Sequence, residues 1–363
     1  MGHIDTKSLL TRGFNGNSPE LLKRADEAYC DFVSDARNIL MYAQFQNIGQ
    51  LGAGELDAAA KATGNLPNSP EAIKGVVMKV PEIATYFRVK RTLQESYWQR
   101  IAESYGMKAS EFEQALNEAD KTGPGSVTWD PNFVYPAYAT VDIHIQPGGY
   151  TGKTLGALTY DYGTKIFFGG AGDADSLHHS MADKTATPKD GVVKRVMEVG
   201  CSIGQMACGL KKRFPDAEVW GTDIGAPMVR YAHWRTIQQG LDVHYAQMPA
   251  EDLDFPDNHF DVVTAHLLFH EIPVPVIKRV LNEAKRVLRP GGVFVLWDFF
   301  SAKNRSGGTN FMGLMDACDN GEPYAPGFVT CDVEALMEQA GFTLRSHDPQ
   351  ELGRAGRVGD KPV

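Results

Sequence analysis

The chain has 363 residues, and 36 Lys and Arg against 45 Asp and Glu give a formal net charge of −9. With 43% hydrophobic and 22% charged residues, the composition is that of a folded globular protein, and the length suggests two or three domains. Because phosphate binding needs clustered Lys and Arg, and no run of five basic residues occurs, neither nucleic acid nor an anionic membrane is expected as a partner.

Cysteines and apolar runs bear on the compartment of the protein. The five cysteines include no Cys-x-x-Cys pair, which predicts free thiols in a reducing cytoplasm. The longest apolar runs, such as Val293–Trp297, are far shorter than the roughly 18 residues that a membrane helix needs. The sequence therefore predicts a cytoplasmic protein.

The N-terminal third of the chain is predicted to be helical. The motif Ser-Pro-Glu occurs at 18–20 and again at 69–71, where Ser can cap a helix, Pro suits its first turn and Glu complements its dipole. Further helices are predicted over 82–105 and 110–121 from apolar residues at helical spacing. Residues 1–125 are thus interpreted as an all-helical domain, either a cap or the dimerisation layer of a homodimer.

A Gly- and Pro-rich breaker at 122–126 ends this region, and an aromatic, turn-rich segment follows it. From Val192 onward, short β-rich runs alternate with helical periodicity, which indicates an α/β sheet. The predicted strands are Arg195–Val199, Glu218–Thr222, Val243–Met248, Phe260–His266, Val293–Asp298 and Phe342–Ser346.

The first of these strands runs into the sequence VMEVGCSIGQMACG at 196–209. Gly200 follows the strand directly, and Gly204 stands at the entry to a helix. Glycines at such a turn let backbone N–H groups approach a ligand, and a helix N-terminus offers the positive end of its dipole. Asp223 ends the next strand, where a carboxylate can accept both hydroxyls of a ribose. The pattern indicates a nucleotide site of a kind that many nucleotide binders share.

The spacing of the glycines separates two classes of such sites. A dinucleotide fold would have Gly-x-Gly-x-x-Gly, whereas Gly200 is followed by Cys-Ser-Ile-Gly, so the middle glycine is missing. With Glu198 two residues ahead, the segment resembles the Glu/Asp-x-Gly-x-Gly-x-Gly motif of class I S-adenosylmethionine-dependent methyltransferases. Three further segments resemble that family in the same order, at 219–229, 246–263 and 283–298, the last containing Arg-Pro-Gly-Gly.

The resemblance covers about residues 150–347 and is to the small-molecule, UbiE-like type. It implies an α/β fold with a Rossmann-like, doubly wound, mostly parallel sheet, S-adenosyl-L-methionine as the cofactor and S-adenosyl-L-homocysteine as the product. It also implies that 186–363 form the cofactor-binding domain and that 126–185 are an aromatic linker and active-site lid. The chain departs from the family at Ser202, where glycine is usual, and by the lack of a clear final strand after Ser346.

Carried over to this chain, the resemblance implies a role for each residue of the motifs. Glu198 would meet the methionine ammonium, and Asp223 would bind the ribose hydroxyls. Ile224 would line one face of the adenine, while Glu251 and Asp252 would address its amine. The implied cofactor-binding residues are Glu198, Gly200, Cys201, Ser202, Gly204, Asp223, Ile224, Glu251, Asp252 and His266.

Catalysis needs a base only if the acceptor loses a proton during attack on the methyl group. The candidates follow the fourth strand and are His266, His270 and Glu271, since a neutral His near pH 7 suits proton removal from a phenol or thiol. His270 is equally interpreted as a structural residue bonded to nearby backbone. No metal site is predicted, because His178 and His179 lack further ligands at a recognisable spacing.

The acceptor is expected to meet aromatic side chains near the predicted lid. Tyr160, Tyr162 and Phe167 precede the first strand and Tyr324 follows the fifth, although all four also suit core packing. The sequence therefore predicts methyl transfer to oxygen or sulfur of a small aromatic or apolar molecule. Two alternatives stay open at this point: methylation of RNA or protein, and a non-catalytic partner protein that binds the cofactor.

Overall fold

The computed structural model describes residues 18–67, 69–168, 175–298, 312, 315, 319–345 and 356–363. The helices are α1 (Arg24–Thr63), α2 (Pro70–Val77), α3 (Pro81–Gly106), α4 (Ala109–Ala119), α5 (Gly156–Gly163), α6 (Lys165–Phe168), α7 (Ser176–Asp183), α8 (Gln205–Arg213), α9 (Ala226–Gln238), α10 (Val274–Val287), α11 (Ala325–Thr330) and α12 (Val333–Gln339). The strands are β1 (Ser126–Thr128), β2 (Arg195–Val199), β3 (Glu218–Asp223), β4 (His244–Gln247), β5 (Phe260–His266), β6 (Leu288–Trp297), β7 (Thr343–Leu344) and β8 (Gly356–Asp360).

These strands form one sheet in the order β1-β4-β3-β2-β5-β6-β8-β7. The pairs among β1 to β6 are parallel, and β8 is antiparallel to both β6 and β7. Side chains alternate along the strands, so that Val293 and Val295 pack with α8 and α9 while Phe294 and Leu296 pack with α10 and α12. Because helices cover both faces, the predicted Rossmann-like doubly wound sheet is confirmed.

The C-terminal edge of the sheet corrects one expectation from the sequence. A final strand is present, and β8 pairs antiparallel with Val293–Trp297. All five of its residues are buried, yet its sequence Gly-Arg-Val-Gly-Asp has little apolar character. Arg357 is paired with Glu334, and Asp360 is paired with Arg345, so polar residues enter the sheet with partners from other elements. A hydropathy pattern could not reveal such a strand.

The first helix also begins later than predicted, at Arg24 rather than at residue 18. The hydroxyl of Tyr105 donates a hydrogen bond to the carbonyl of Pro19 at 2.6 Å, and the amide of Leu22 donates to Oγ of Ser104 at 3.0 Å. These contacts occupy backbone groups that a helix would otherwise use. The segment before α1 therefore lies against the end of α3, and Lys23 is extended.

The N-terminal helices pack on the rest of the chain through a shared apolar cluster. Trp98 and Tyr105 from α3 are buried together with Tyr162 from α5 and Tyr231 from α9. Directly after the predicted boundary, β1 joins the edge of the sheet beside β4. The domain limits and the pairing of two copies stay predictions. Among the described residues, no helix has the length and apolar character that crossing a bilayer would require.

Candidate active site

A cavity lies at the carboxyl ends of β2, β3 and β5. Ligands of open parallel sheets bind at this edge, where the loops after the strands meet. Several of the predicted site residues border it together. They are Tyr160, Glu198, Gly200, Cys201, Ser202, Asp223, Ile224, His266 and Glu271.

The turn after β2 brings backbone amides to the carboxylate at the end of β3. The amide of Ser202 donates to Oδ2 of Asp223 at 2.9 Å, and the amide of Gly225 donates to Oδ1 at 2.8 Å. Gly200 and Ser202 have φ of 68° and 47°, a left-handed backbone in which glycine is less strained than serine. Burial raises the pKa of Asp223 to about 6 against these hydrogen bonds. Each oxygen keeps a lone pair for a further donor, which suits the two hydroxyls of a ribose.

Glu198 lies deeper in the same cavity and is only 2% exposed. Its Oε2 has no hydrogen-bond partner among the described residues. Burial raises the pKa of this carboxyl well above its usual value. A buried carboxyl oxygen without a donor is costly, and an ammonium group would satisfy it. The cavity thus fits the ribose and the amino-acid end of S-adenosylmethionine.

His266 ends β5 and borders the cavity with 7% of its surface exposed. Its Nε2 has no hydrogen-bond partner in the part of the chain that the structure describes. The ring meets that of His178 edge-on, with centroids 4.9 Å apart. Burial, with His178 and His270 nearby, lowers the pKa of His266 well below its usual value, so the imidazole is neutral at pH 7. The described residues contain no group of three His, Cys, Asp or Glu side chains suited to a metal ion.

His270, one of the three predicted bases, does not border the cavity. Its Nδ1 lies 2.7 Å from Oδ1 of Asp298, and its Nε2 lies 3.5 Å from Oε1 of Glu271. Burial opposes its charge, but the two carboxylates raise the pKa of His270 well above its usual value. An imidazolium held between carboxylates is no proton acceptor at pH 7. The two ring nitrogens of His270 thus face the carboxylates of Asp298 and Glu271.

Glu271 has a second imidazole partner that the sequence did not indicate. Its Oε1 lies 3.2 Å from Nε2 of His144, whose Nδ1 lies 3.1 Å from Oε1 of Glu322. Burial alone would lower the pKa of His144, but the two carboxylates outweigh it and raise this pKa to about 9. Asp298, His270, Glu271, His144 and Glu322 thus form a continuous row, which we call the carboxylate–imidazole chain.

The backbone around His144 is held by α3. His144 and Ile145 have φ of 56° and 53°, which is strained for residues other than glycine. The carbonyl of His144 accepts hydrogen bonds from Nε1 of Trp98 at 2.8 Å and from Nε2 of Gln94 at 2.9 Å. The helical layer therefore fixes the turn that delivers His144 to Glu271.

Three implied cofactor residues do not border the cavity. Gly204 directly precedes α8, and a Cβ at this position would collide with the hydroxyl of Tyr245, so glycine permits close packing of the helix on the sheet. Glu251 accepts a hydrogen bond from the hydroxyl of Tyr138 at 2.7 Å and pairs with Arg279 at 3.3 Å. Asp252, the third, follows it in the same loop and is exposed.

Three implied acceptor residues are likewise absent from the lining. Tyr162 is buried in the cluster around α3, and Tyr324 is half-buried just before α11. Phe167 packs against the ring of His144, with centroids 4.9 Å apart. For Tyr162 and Phe167 the structure supports the core-packing interpretation, because their neighbours are other buried rings.

Sequence reasoning also missed three aromatic lining residues, Tyr138, Tyr150 and His178. The ring of Tyr150 meets that of Tyr160 edge-on at 5.2 Å. Tyr138 and Tyr150 lie in the aromatic segment that the composition had singled out. Their positions could not be chosen from it, because the backbone there has no period that assigns side chains to one face.

The raised pKa of His144 predicts that stability falls as pH rises. Contacts of the protonated ring are fully present below the unfolded value of 6.5 and are lost as pH passes through about 9. We expect the free energy of unfolding to drop by about 3 kcal/mol across this interval, since each pH unit between the two pKa values is worth about 1.4 kcal/mol. Urea unfolding at several pH values measures it. His144→Gln should flatten this decline in stability. His259→Gln, which lies outside the carboxylate–imidazole chain, should leave the decline unchanged. Equal slopes in the wild type and both variants would contradict the prediction.

Similarity to known proteins places this site in a family. A model described as "Methyltransferase domain" matches residues 196–292. Demethylmenaquinone methyltransferase of Thermus thermophilus is 31% identical over 186 residues, which cover 47% of this chain and 83% of that protein. A probable phthiotriol/phenolphthiotriol dimycocerosates methyltransferase 2 of Mycobacterium ulcerans is 38% identical, covering 35% and 47% respectively. Fatty-acid O-methyltransferase of Mycolicibacterium smegmatis is 37% identical, covering 34% and 42%.

The chain therefore belongs to the class I S-adenosylmethionine-dependent methyltransferases. It is an enzyme, and S-adenosylmethionine is its cofactor, as the motifs around Gly200 and Asp223 predicted. The chain spans most of the Thermus relative but less than half the length of the two mycobacterial ones. These relatives are named for small-molecule methylation, and the acceptor of this chain is a separate question.

Proposed function

We propose that this methyltransferase transfers a methyl group to an oxygen or sulfur atom of a small aromatic or apolar molecule, with His266 as the proton acceptor. One observation carries the proposal. A neutral, buried imidazole with an unpartnered Nε2 borders the same cavity as the turn at Gly200 and the carboxylate of Asp223.

Residues of the cavity would hold the cofactor by its two polar ends. Asp223 would accept hydrogen bonds from the two ribose hydroxyls, and Glu198 would accept a hydrogen bond from the ammonium group. The backbone of Gly200 and Ser202 would lie along the ligand, because a left-handed turn without bulky side chains permits close approach. When bound, S-adenosylmethionine supplies an electrophilic methyl group on a positively charged sulfur.

The remaining chemistry belongs to the acceptor and its proton. An oxygen or sulfur nucleophile carries a hydrogen that must leave as its bond to the methyl carbon forms. Nε2 of His266 can take that hydrogen, because the ring enters the reaction neutral. The edge-on pair of Tyr150 and Tyr160 offers an apolar wall for a planar or aliphatic acceptor. The names of relatives that act on a menaquinone precursor or a fatty acid support a small acceptor of this kind.

The test is incubation of the full chain with methyl-labelled S-adenosylmethionine and a fractionated cell extract. Label in the low-mass fraction is the expected result, and it provides the material for identifying the acceptor. Label in RNA or protein would contradict the proposal and favour macromolecular methylation. If no fraction becomes labelled although titration shows that the cofactor binds, the proposal is contradicted and a non-catalytic partner protein is favoured.

Replacing His266 tests its role directly. With the acceptor that the labelling experiment identifies, His266→Gln should lower kcat by about a hundredfold, since a positioned base contributes roughly 10²–10⁴-fold. Binding of S-adenosylhomocysteine should change little, because Gln preserves the polarity of the site. His259→Gln serves as the control variant and should retain full activity. An unchanged kcat in the folded His266 variant would remove this residue from the mechanism.

A further inference from the structure

The segment between β1 and α5 is fastened to the ends of β3 and β4. The amide of Asp130 donates to Oε1 of Gln247, the last residue of β4, at 3.0 Å. Nε2 of Gln247 donates to the hydroxyl of Tyr135 at 3.2 Å and to the carbonyl of Ile224, directly after β3, at 3.1 Å. Residues 130–151, which we call the strap, therefore lie against this edge of the sheet.

Tyr138 of the strap is held by a carboxylate that lies outside the cavity. Its hydroxyl donates to Oε1 of Glu251 at 2.7 Å and lies 2.9 Å from Oε2. Oε1 also lies 3.3 Å from a guanidinium nitrogen of Arg279 on α10. Burial and the carboxylate of Glu251 raise the pKa of Tyr138, so its hydroxyl stays a donor at neutral pH. Tyr138 borders the cavity, whereas Glu251 and Arg279 do not.

The order of the strands gives the direction in which the cofactor would lie. β2 carries Glu198, β3 ends at Asp223, and β4 lies on the far side of β3. With the amino-acid end at Glu198 and the ribose at Asp223, the base extends from the opposite side of the ribose towards β4. Tyr138 borders the cavity and is bonded to the loop after β4, so its ring lies on the path of the base.

We propose that the ring of Tyr138 packs against the adenine of S-adenosylmethionine, and that Glu251 is a positioning residue that holds this ring in place. The inference rests on the proposed function, because it takes the ribose to lie at Asp223. Glu251, which the resemblance implied as a partner of the adenine amine, then acts on the base through Tyr138. The ring precedes residues 196–292, so the match to the family model does not include it.

Calorimetric titration of the full chain with S-adenosylhomocysteine, without an acceptor, tests the ring contact. Tyr138→Leu should raise the Kd by about tenfold, because an aromatic ring against a base contributes to binding to about this extent. Tyr138→Phe keeps the ring but loses the hydrogen bond to Glu251, so its Kd should rise by only about threefold. Tyr29→Leu removes a half-buried tyrosine on α1 that does not border the cavity, and its Kd should equal that of the wild type.

A double-variant comparison tests the role of Glu251. Glu251→Gln should raise the Kd by about threefold in the wild-type background and should have no further effect in Tyr138→Leu, since the two residues act as one unit. Nuclear Overhauser spectroscopy adds a readout of the contact itself. With only the tyrosine rings protonated, the adenine protons of bound S-adenosylhomocysteine should show an effect to a tyrosine ring that Tyr138→Phe abolishes.

Three results would overturn the inference. They are an unchanged Kd in a folded Tyr138→Leu protein, a nuclear Overhauser effect that Tyr138→Phe leaves intact, and an undiminished effect of Glu251→Gln in Tyr138→Leu. Thermal unfolding reports whether each variant folds, and the spectra of Tyr138→Phe decide if Tyr138→Leu does not. Failure of the proposed function is separate: wild-type affinity in Asp223→Ala contradicts the placement of the ribose, whereas weak binding by Asp223→Ala with full binding by Tyr138→Leu contradicts this inference alone.

Discussion

Asp223→Ala is expected to weaken the binding of S-adenosylmethionine by roughly a hundredfold or more, because two charge-assisted hydrogen bonds are lost together. Hydrogen bonds to a charged group contribute about 1.5–3 kcal/mol each, and the carboxylate is placed to accept from both ribose hydroxyls. In the wild type, the amides of Ser202 and Gly225 donate hydrogen bonds to the two carboxylate oxygens of Asp223, and the substitution removes both. The strained backbone at Ser202 loses its anchor, so the turn beside the cofactor should loosen as well.

Calorimetry of the purified variant measures this loss. Asp223→Asn keeps one oxygen and the shape of the side chain, so its affinity should fall between those of the wild type and Asp223→Ala. Asp242→Ala removes an exposed carboxylate on the loop before β4 and should bind the cofactor normally. Wild-type affinity in a folded Asp223→Ala protein would mean that the ribose lies elsewhere.

Gly163→Ala is expected to lower the free energy of unfolding by about 3 kcal/mol, the upper range for overpacking a core. A methyl group at Gly163 would overlap the indole of Trp98, which is fully buried. The ring cannot turn aside without losing its hydrogen bond to the carbonyl of His144. Relief must therefore come from a shift of α5 away from α3.

Urea unfolding of the variant gives the change in stability, and a matched control lies on another helix. Gly54 is exposed within α1 with no atom near its added methyl position, so Gly54→Ala should stabilise the protein by about 0.5–1 kcal/mol. Because α5 carries Tyr160 and Asp161 to the cavity, Gly163→Ala should also weaken cofactor binding. Equal stability of the two variants would show that the contact between α5 and α3 is loose.

The parts of the fold that were predicted from the sequence depend on local signals. The bounds of β2 and β5 agree with the predicted strands, because both are short apolar runs ended by polar or glycine residues. The turn at Gly200 and the carboxylate of Asp223 follow these strands directly. Since carboxyl ends of parallel strands share one edge, a motif at each end predicts a common site.

The parts that were missed depend on contacts between distant segments. Strand β8 is stabilised by the partners of Arg357 and Asp360, which belong to other elements. His144 acquires its charge from Glu271 and Glu322, which follow it far along the chain. No window of sequence contains both halves of such an interaction, so neither the strand nor the imidazolium could be predicted from residue patterns.

The hydrogen bonds from Gln94 and Trp98 to the carbonyl of His144 have a consequence for recombining this chain with its relatives. The family match covers residues 196–292, and a chimera that exchanged this range alone would leave α3 and the turn at His144 unchanged. In this protein a larger segment has to be exchanged, because the turn at His144 is held by α3, which lies well before it in the sequence. A graft should therefore carry α3 together with the turn, or substitute both.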